Sequence, residues 1–270
     1  MQNTNSLQNN RGFLYGDAVF ETVKIIDNKI LFVEDHYFRL MASMRILRME
    51  IPMNFTMEFF EDEILGYAQK ENTSISARAR ITVYRDATGY YLPEKNTISY
   101  EISISKLENS IYTIEKNSYE VDLYKDFYIS KQLISTLKTT NRIINITGSI
   151  YAKENDLDNC LLLNEEKNVV EALNGNIFML KDGILSTPPL SDGCLNGIMR
   201  KQIVALAKNT ETLSFEEASI SPFDLQKADE LFITNIIKGI QPITKYRKKE
   251  FESNLSNDLL NKLNAKLRLN

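Results

Sequence analysis

Hydrophobic and polar positions repeat with two different periods along this chain of 270 residues, so the pattern predicts both strands and helices. Residues 17–33 are rich in Val, Ile and Phe and are interrupted at Asp27 and Asn28, which predicts a β-hairpin. Apolar side chains then recur at helical spacing, and two alternating segments follow. The predicted elements are helices over 34–50 and 57–70 and strands over 77–84 and 97–107, with a turn or loop at 85–89.

The second part of the chain predicts short strands among helices. Residues 108–125 carry scattered charge and little periodicity, so we place a linker at 113–125 between domains of residues 1–112 and 126–270. Thr139 and Thr140 are expected to cap a helix over 141–154. The later predicted elements are strands over 160–163, 169–173, 177–180, 184–186 and 231–235, a helix from Gly197 and a helix start at Ser221. Because strands and helices are mixed without strict alternation, the pattern favours an α+β fold.

Composition narrows the function classes. The chain is 43% hydrophobic and 25% charged, as globular proteins are, and its net charge of −4 lacks the basic footprint of a nucleic-acid binder. No apolar run has the length of a membrane span, and the polar N-terminus does not resemble a signal peptide, so we expect a cytoplasmic protein. Cys160 and Cys194 are too few for a disulfide framework or a metal centre, and we expect both to be buried as small apolar side chains.

Few residues stand out as candidates for a chemical role. His36 is the only histidine, and its place in an amphipathic helix favours a structural role over a catalytic one. Lys138 is a potential nucleophile, although a solvated charge is its ordinary role. Glu171 interrupts an apolar segment and is either on the exposed face of a strand or buried against a cationic partner. Arg39 lies within the same helix as His36, and the helix that begins at Gly197 is a candidate anion site.

The motifs of the chain, taken in their order, resemble the class IV aminotransferase family, the fold-type IV enzymes that use pyridoxal 5'-phosphate. No single motif is specific, but the ordered set is, and it runs from about residue 11 to residue 245. The matching segments are YGDAVFET at 15–22, HYFRL at 36–40, KTTN at 138–141, VEALNGNIF at 170–178, NGIMR at 196–200, DELFITN at 229–235 and QPI at 241–243.

The resemblance implies the fold and the assembly. It implies a two-domain fold-type IV enzyme, similar to D-amino acid aminotransferases, with a small N-terminal α/β domain and a larger C-terminal mixed, barrel-like β domain with helices. It also implies a homodimer with its active sites near the interface, acting on a small amino substrate. Neither nucleic acid nor a membrane is expected as a partner, and no metal is expected.

The resemblance also assigns roles to individual residues. Lys138 resembles the lysine that forms the internal aldimine and moves the proton, and Glu171 resembles the acid that pairs with the pyridine nitrogen. Arg39 resembles the arginine that binds the phosphate, supported by the helix of His36. The other implied cofactor contacts are Asn176, Gly197, the backbone N–H groups of Ile198 and Met199, and Asn235. The implied substrate contacts are Phe20, Lys24, Arg85 and Tyr90.

The family contains both lyases and aminotransferases. Met199, in NGIMR, and the KTTNR segment at 138–142 favour 4-amino-4-deoxychorismate lyase, a folate-pathway enzyme that eliminates pyruvate to give 4-aminobenzoate. One alternative is an aminotransferase of branched-chain or D-amino acids that uses 2-oxoglutarate. A second alternative is a protein that binds pyridoxal phosphate without catalysis, which the presence of both Lys138 and Glu171 disfavours.

Overall fold

The structure is a computed structural model, which describes residues 7–73, 75–109, 111–114 and 117–269. The polar start of the chain over 1–6 and two residues of the predicted linker, Glu115 and Lys116, therefore lie outside the described residues.

The chain divides into two compact units. Unit 1 comprises Met1–Ser110 together with Leu137–Asn141, and unit 2 comprises Ile111–Thr136 together with Arg142–Asn270. The short segment that contains Lys138 therefore belongs to unit 1, although the chain on both sides of it belongs to unit 2.

Unit 1 has a four-stranded antiparallel sheet in the order β2-β1-β3-β4. Its elements are a 3-10 helix at Leu7–Asn9, α1 (Arg11–Tyr15), β1 (Ala18–Ile26), β2 (Lys29–Ile30), α2 (Val33–Ile46), α3 (Met57–Lys70), β3 (Ser76–Arg85) and β4 (Ile98–Lys106). The predicted hairpin is confirmed as β1 and β2. Asp27 and Asn28 both have positive φ in its turn, as a tight turn between right-twisted strands requires.

Strand alternation gives the sheet of unit 1 two different faces. Val19, Val23 and Ile25 of β1 are buried in one hydrophobic cluster with Leu40 of α2 and Ile64 of α3. Since successive side chains of a strand point to opposite faces, Phe20, Thr22 and Lys24 of β1 lie on the other face. That second face is polar, and it carries the first set of candidate site residues.

Unit 2 contains two five-stranded mixed sheets, in the orders β10-β9-β8-β11-β12 and β14-β13-β5-β6-β7. Its strands are β5 (Glu120–Ile129), β6 (Asn159–Asn164), β7 (Val169–Ala172), β8 (Asn176–Lys181), β9 (Ile184–Thr187), β10 (Ser214–Glu217), β11 (Glu230–Asn235), β12 (Gly239–Ile243), β13 (Lys245–Tyr246) and β14 (Lys249–Glu250). Its helices are α4 (Ile143–Glu154), α5 (Ile198–Lys208), α6 (Pro222–Leu225) and α7 (Asn254–Leu269), with short 3-10 turns at Leu133–Thr136 and Leu190–Asp192. Both sheets contribute to one apolar cluster, which includes Val121, Leu161, Ile177, Leu231 and Ile243.

The second half of the predicted linker at 113–125 belongs to a strand, because β5 begins at Glu120. Val121 and Leu123 are buried there, but the charged residues between and after them obscure the alternation in the sequence. The pairing that makes β5 a strand is with β6, which lies far along the chain and runs parallel to it. Over the described part of the chain, no helix is both long and apolar enough to cross a membrane.

Candidate functional site

Lys138 is held in unit 1 because its segment pairs with β1. The backbone N–H of Phe20 donates to the carbonyl of Lys138 at 2.9 Å, and that of Thr140 donates to the carbonyl of Ala18 at 3.0 Å. Thr139 forms an antiparallel bridge with Val19 between them. Phe20 and Lys138 are therefore paired on one face of the sheet, with the Lys138 ammonium nitrogen 4.6 Å from the centre of the Phe20 ring.

The predicted helix caps at Thr139 and Thr140 are wrong for the same reason. Thr139 forms a bridge with β1 and the N–H of Thr140 donates to β1, so α4 begins only at Ile143. Arg142 takes the cap position without a side-chain hydrogen bond to the helix.

The face that carries Lys138 is rich in cations. Lys24 of β1, which is 2% exposed, pairs across the sheet with Arg78 of β3, and Thr22 pairs with Arg80. The guanidinium carbon of Arg80 lies 3.7 Å from the centre of the Phe20 ring. Phe20 and Lys24, both predicted substrate contacts, therefore share a face with Lys138.

The sequence prediction missed Arg78 and Arg80, although the signal was present. Within β3 the two arginines alternate with Ala77, Ala79 and Ile81, which are fully buried in the core. Strand alternation alone places both arginines on the face opposite to the core, where Phe20 and Lys24 lie.

Arg39 meets a carboxylate that the sequence did not single out. Its Nε donates to Oε1 of Glu21 at 2.7 Å and its Nη2 donates to Oε2 at 2.5 Å, while His36 Nδ1 lies 2.7 Å from the same Oε2. Burial raises the pKa of Glu21, but the charge of Arg39 and the hydrogen bonds from both partners outweigh it and hold this pKa at about 2. Burial also lowers the pKa of His36. The phosphate contact of Arg39 stays a prediction.

Arg85, a predicted substrate contact, is bonded to other groups of the protein, so its substrate contact stays a prediction that these bonds disfavour. Its Nε donates to Asp17 at 2.9 Å, its Nη1 to the side chain of Asn96 and the carbonyl of Arg48, and its Nη2 to the carbonyl of Leu47. The guanidinium stabilises the structure of unit 1, because four of its five N–H donors already have protein acceptors.

Tyr90, also predicted to contact the substrate, lies in an exposed loop. Its ring is 85% exposed, and its backbone carbonyl accepts a hydrogen bond from the buried guanidinium of Arg11. Arg11 also binds the carbonyls of Gly89 and Tyr91, so its guanidinium holds the backbone of the loop, whereas the ring of Tyr90 is exposed.

In unit 2, Glu171 is buried within β7. It pairs with Leu162 of β6, is 5% exposed, and accepts the backbone N–H of Leu195 at 2.8 Å through Oε2. Of the two positions that the sequence left open, the exposed face is therefore wrong. The hydrogen bond fixes the chain entering α5 against this carboxylate.

The start of α5 has no side-chain cap. Asn176 donates to the carbonyl of Leu195 at 2.8 Å, and Gly197 is the N-cap, with no side chain to cap the helix. A Cβ at Gly197 would lie 2.0 Å from the Asn176 amide oxygen, so a larger residue there would have to displace the Asn176 side chain. The N–H groups of Ile198 and Met199 have no partner within the helix, as in any first turn.

A hydroxyl next to this helix start was missed by the sequence prediction. Thr234 of β11 pairs with Asn176 of β8, and its Oγ1 is buried without a hydrogen-bond partner among the described residues. The neighbouring Asn235 accepts the N–H groups of Ile237 and Lys238 through Oδ1, so that oxygen caps the turn after β11. Its predicted phosphate contact stays a prediction.

The cysteines match the expectation of buried apolar residues. Burial raises the pKa of Cys160 to about 11 and that of Cys194 to about 12, and neither is in a disulfide. Among the residues that the structure describes, no group of three or more His, Cys, Asp or Glu side chains is placed to hold a metal ion.

Comparison with known proteins matches one family model over most of the chain. The model, described as amino-transferase class IV, matches residues 18–246. A protein of Methanocaldococcus jannaschii named "Putative branched-chain-amino-acid aminotransferase" is 31% identical over 86% of this chain and 79% of its own length. A D-alanine aminotransferase of Staphylococcus epidermidis is 25% identical over 87% of this chain and 81% of its own length.

A solved structure matches almost the whole fold. It is described as a "Putative 4-amino-4-deoxychorismate lyase" of Legionella pneumophila, with a TM-score of 0.86 and 24% identity over 98% of this chain and 96% of that chain. At that identity the likeness shows the fold, which is fold-type IV, and leaves the reaction to be argued from the residues.

Proposed function

Because the chain belongs to the class IV aminotransferase family, whose enzymes use pyridoxal 5'-phosphate, we propose that it is a 4-amino-4-deoxychorismate lyase. Such an enzyme divides its substrate into 4-aminobenzoate and pyruvate. The proposal depends on two sets of side chains, one in each unit, and on the charge of the sheet face that carries Lys138.

The residues present fit the cofactor. Glu171 is a buried carboxylate, which suits the protonated nitrogen of a pyridine ring. The N-terminus of α5 has no side-chain cap, and the hydroxyl of Thr234 is buried without a partner among the described residues, so both suit a phosphate. Gly197 keeps that helix start clear of a side chain.

Each residue then has a defined task. Glu171 would hold the proton on the ring nitrogen, while Arg39 and the N–H groups of Ile198 and Met199 would hold the phosphate. When bound, the cofactor supplies an electron sink for a negative charge that develops on the carbon bearing the substrate's amino group. Lys138 provides the amine that attaches the cofactor and later moves the proton.

The single observation that supports the lyase most is the charge of the face around Lys138. Lys24, Arg78 and Arg80 lie on that face, together with the ring of Phe20. A branched aliphatic side chain requires an apolar lining, whereas carboxylates require cations and hydrogen-bond donors. 4-Amino-4-deoxychorismate has two carboxylates and a ring, which this combination of cations and one aromatic side chain suits.

The proposed reaction needs no reactant besides the substrate. Lys138 takes the proton from the ring carbon that bears the amino group, and the electron pair left behind expels the enolpyruvyl oxygen from the neighbouring carbon. The ring becomes aromatic, which drives the step. The released enolpyruvate gains a proton and becomes pyruvate.

The second candidate is an aminotransferase, which the sequence relatives favour. The relatives named above are a branched-chain and a D-alanine aminotransferase, and the first is 31% identical to this chain. In that reaction Lys138 would take the same proton and later give it back, so the same residues serve either outcome. The substrate pocket decides between them.

A paired assay tests the proposal. The purified holoenzyme is given 4-amino-4-deoxychorismate, and 4-aminobenzoate and pyruvate are measured. In parallel, it is given a panel of L- and D-amino acids with 2-oxoglutarate. We expect both products in equal amounts and little amino transfer, with Lys138→Ala inactive in both assays. Amino transfer without pyruvate release would overturn the lyase in favour of the aminotransferase.

The homodimer implied by the resemblance also belongs to this proposal. Light scattering coupled to size-exclusion chromatography measures the mass in solution directly. We expect twice the chain mass, and the mass of a single chain would contradict it.

A further inference from the structure

Glu21 is a carboxylate where the fold calls for an apolar side chain. It lies between Val19 and Val23 on the face of β1 that packs against α2, and it is 1% exposed. Removing a carboxylate from water is costly, and a well-packed apolar residue would stabilise such a position as well or better. The presence of glutamate here calls for an explanation beyond stability.

The contacts of Glu21 suggest an explanation for its burial. Arg39 binds it with two parallel hydrogen bonds, from Nε to Oε1 and from Nη2 to Oε2. A bidentate contact fixes the plane of a guanidinium as well as its position, which a single hydrogen bond does not. His36, three residues earlier on α2, contacts the same carboxylate and fixes it from a second direction.

The two side chains of the pair are buried to different degrees. The carboxylate of Glu21 is 1% exposed, whereas the side chain of Arg39 is 10% exposed, so Glu21 lies on the inner side of the pair. The negative charge of the carboxylate also balances the positive charge of Arg39. The guanidinium therefore acts more through its oriented hydrogen-bond donors than through its net charge.

We propose that Glu21 is a positioning residue, which holds the guanidinium of Arg39 in the orientation that binds the phosphate of the cofactor. This inference rests on the phosphate contact of Arg39 in the proposed function. It predicts that Glu21 affects the phosphate end of the cofactor only, because the ring and the attachment to Lys138 use other residues.

The test compares pyridoxal phosphate with pyridoxal, which has the same ring and aldehyde without the phosphate. Apoprotein is titrated with each compound by absorbance for wild type, Glu21→Gln, Arg39→Gln and the double variant. We expect Glu21→Gln to weaken binding of pyridoxal phosphate by about tenfold or more and to leave pyridoxal within about twofold. In the Arg39→Gln background, the Glu21→Gln change should have little further effect, because the residue to be positioned is gone.

Asp17→Asn is the matched control. Asp17 is also a carboxylate of unit 1 paired with two cationic side chains, Arg11 and Arg85. Its replacement should lower the stability of the apoprotein without changing the ratio of the two affinities. Circular dichroism of each apoprotein shows whether it is folded. If Glu21→Gln does not fold, Glu21→Asp takes its place, since it keeps the charge but shortens the reach to Arg39.

The outcomes separate this inference from the proposed function. An unchanged ratio of affinities in a folded Glu21 variant, or equal weakening of both compounds, would overturn the positioning role. An unchanged ratio in Arg39→Gln would overturn it too. If wild-type protein binds neither compound, the proposed function itself fails.

Discussion

Acidification from pH 7.0 to 5.5 is expected to destabilise this protein through one side chain. His36 is the only histidine of the chain and is fully buried. Its Nδ1 faces Glu21, and its Nε2 has no hydrogen-bond partner among the described residues. A proton added at Nε2 would therefore be a buried, charged donor without an acceptor. Burial lowers the pKa of His36 most, Glu21 opposes that effect, and the charges of Arg39 and Lys138 reinforce it.

The sign and size of the effect follow from this lowered pKa. In the unfolded chain His36 has a pKa of about 6.5, whereas in the folded chain its pKa is lower, so at any given pH the folded chain carries less of this proton. The unfolded state then binds more protons, so the free energy of unfolding decreases below pH 6.5. Between pH 7.0 and 5.5 the loss is at most about 1.3 kcal/mol, the limit for a folded state that takes up no proton at His36. Side chains of Asp and Glu ordinarily titrate below this range, and both thiol pKa values lie above it.

Urea unfolding of the apoprotein, followed by circular dichroism at several pH values, measures this loss. His36→Gln is the matched variant, and its free energy of unfolding should be nearly constant over the same range whatever its absolute value. A wild-type protein with constant or rising stability on acidification would refute the reasoning. The same slope in His36→Gln would refute it as well, because the proton would then be taken up elsewhere.

Two further substitutions test the two sets of site residues. Arg80→Gln should raise KM for a dicarboxylate substrate by about tenfold or more while changing kcat less. The control Arg45→Gln, which replaces an exposed arginine, should change neither constant. Steady-state kinetics measures both. Gly197→Ala should weaken binding of pyridoxal phosphate to the apoprotein, because its Cβ would displace the Asn176 amide that lies 2.0 Å away. Adding Asn176→Ala to Gly197→Ala should restore part of that affinity. Gly66→Ala is the control, because Gly66 lies in α3 with open space around it, and it should leave the affinity for pyridoxal phosphate unchanged. It should also stabilise the fold by about 0.5–1 kcal/mol.

Local patterns predicted much of the fold. The hairpin of β1 and β2 and the helix α3 are encoded by nearby residues, namely two turn residues with left-handed backbone and a run of apolar positions at helical spacing. The strand β5 was missed because its pairing with β6 is long-range and its alternation is obscured by charged residues. Thr139 was mistaken for a helix cap because its true partner, Val19, is remote in sequence.

The sequence could predict candidate site residues that belong to a recognisable motif. It could not predict residues whose role depends on which other side chains they contact. Lys138, Glu171 and Gly197 were each identified from the ordered motifs. Arg85 was assigned to the substrate because its side chain suits a carboxylate, but the sequence could not reveal that Asp17 and three other groups occupy it. Glu21 was overlooked for the opposite reason, since a charged residue within a strand is ordinarily on the exposed face.

Borohydride reduction of the holoenzyme, followed by peptide mapping, shows which lysine carries the cofactor. We expect the purified protein to absorb in the visible range and reduction to fix the cofactor on the ε-amine of Lys138 alone. We expect no fixed label in Lys138→Ala. A label on another lysine, or a fully active Lys138→Ala enzyme, would contradict the claim that Lys138 carries the cofactor.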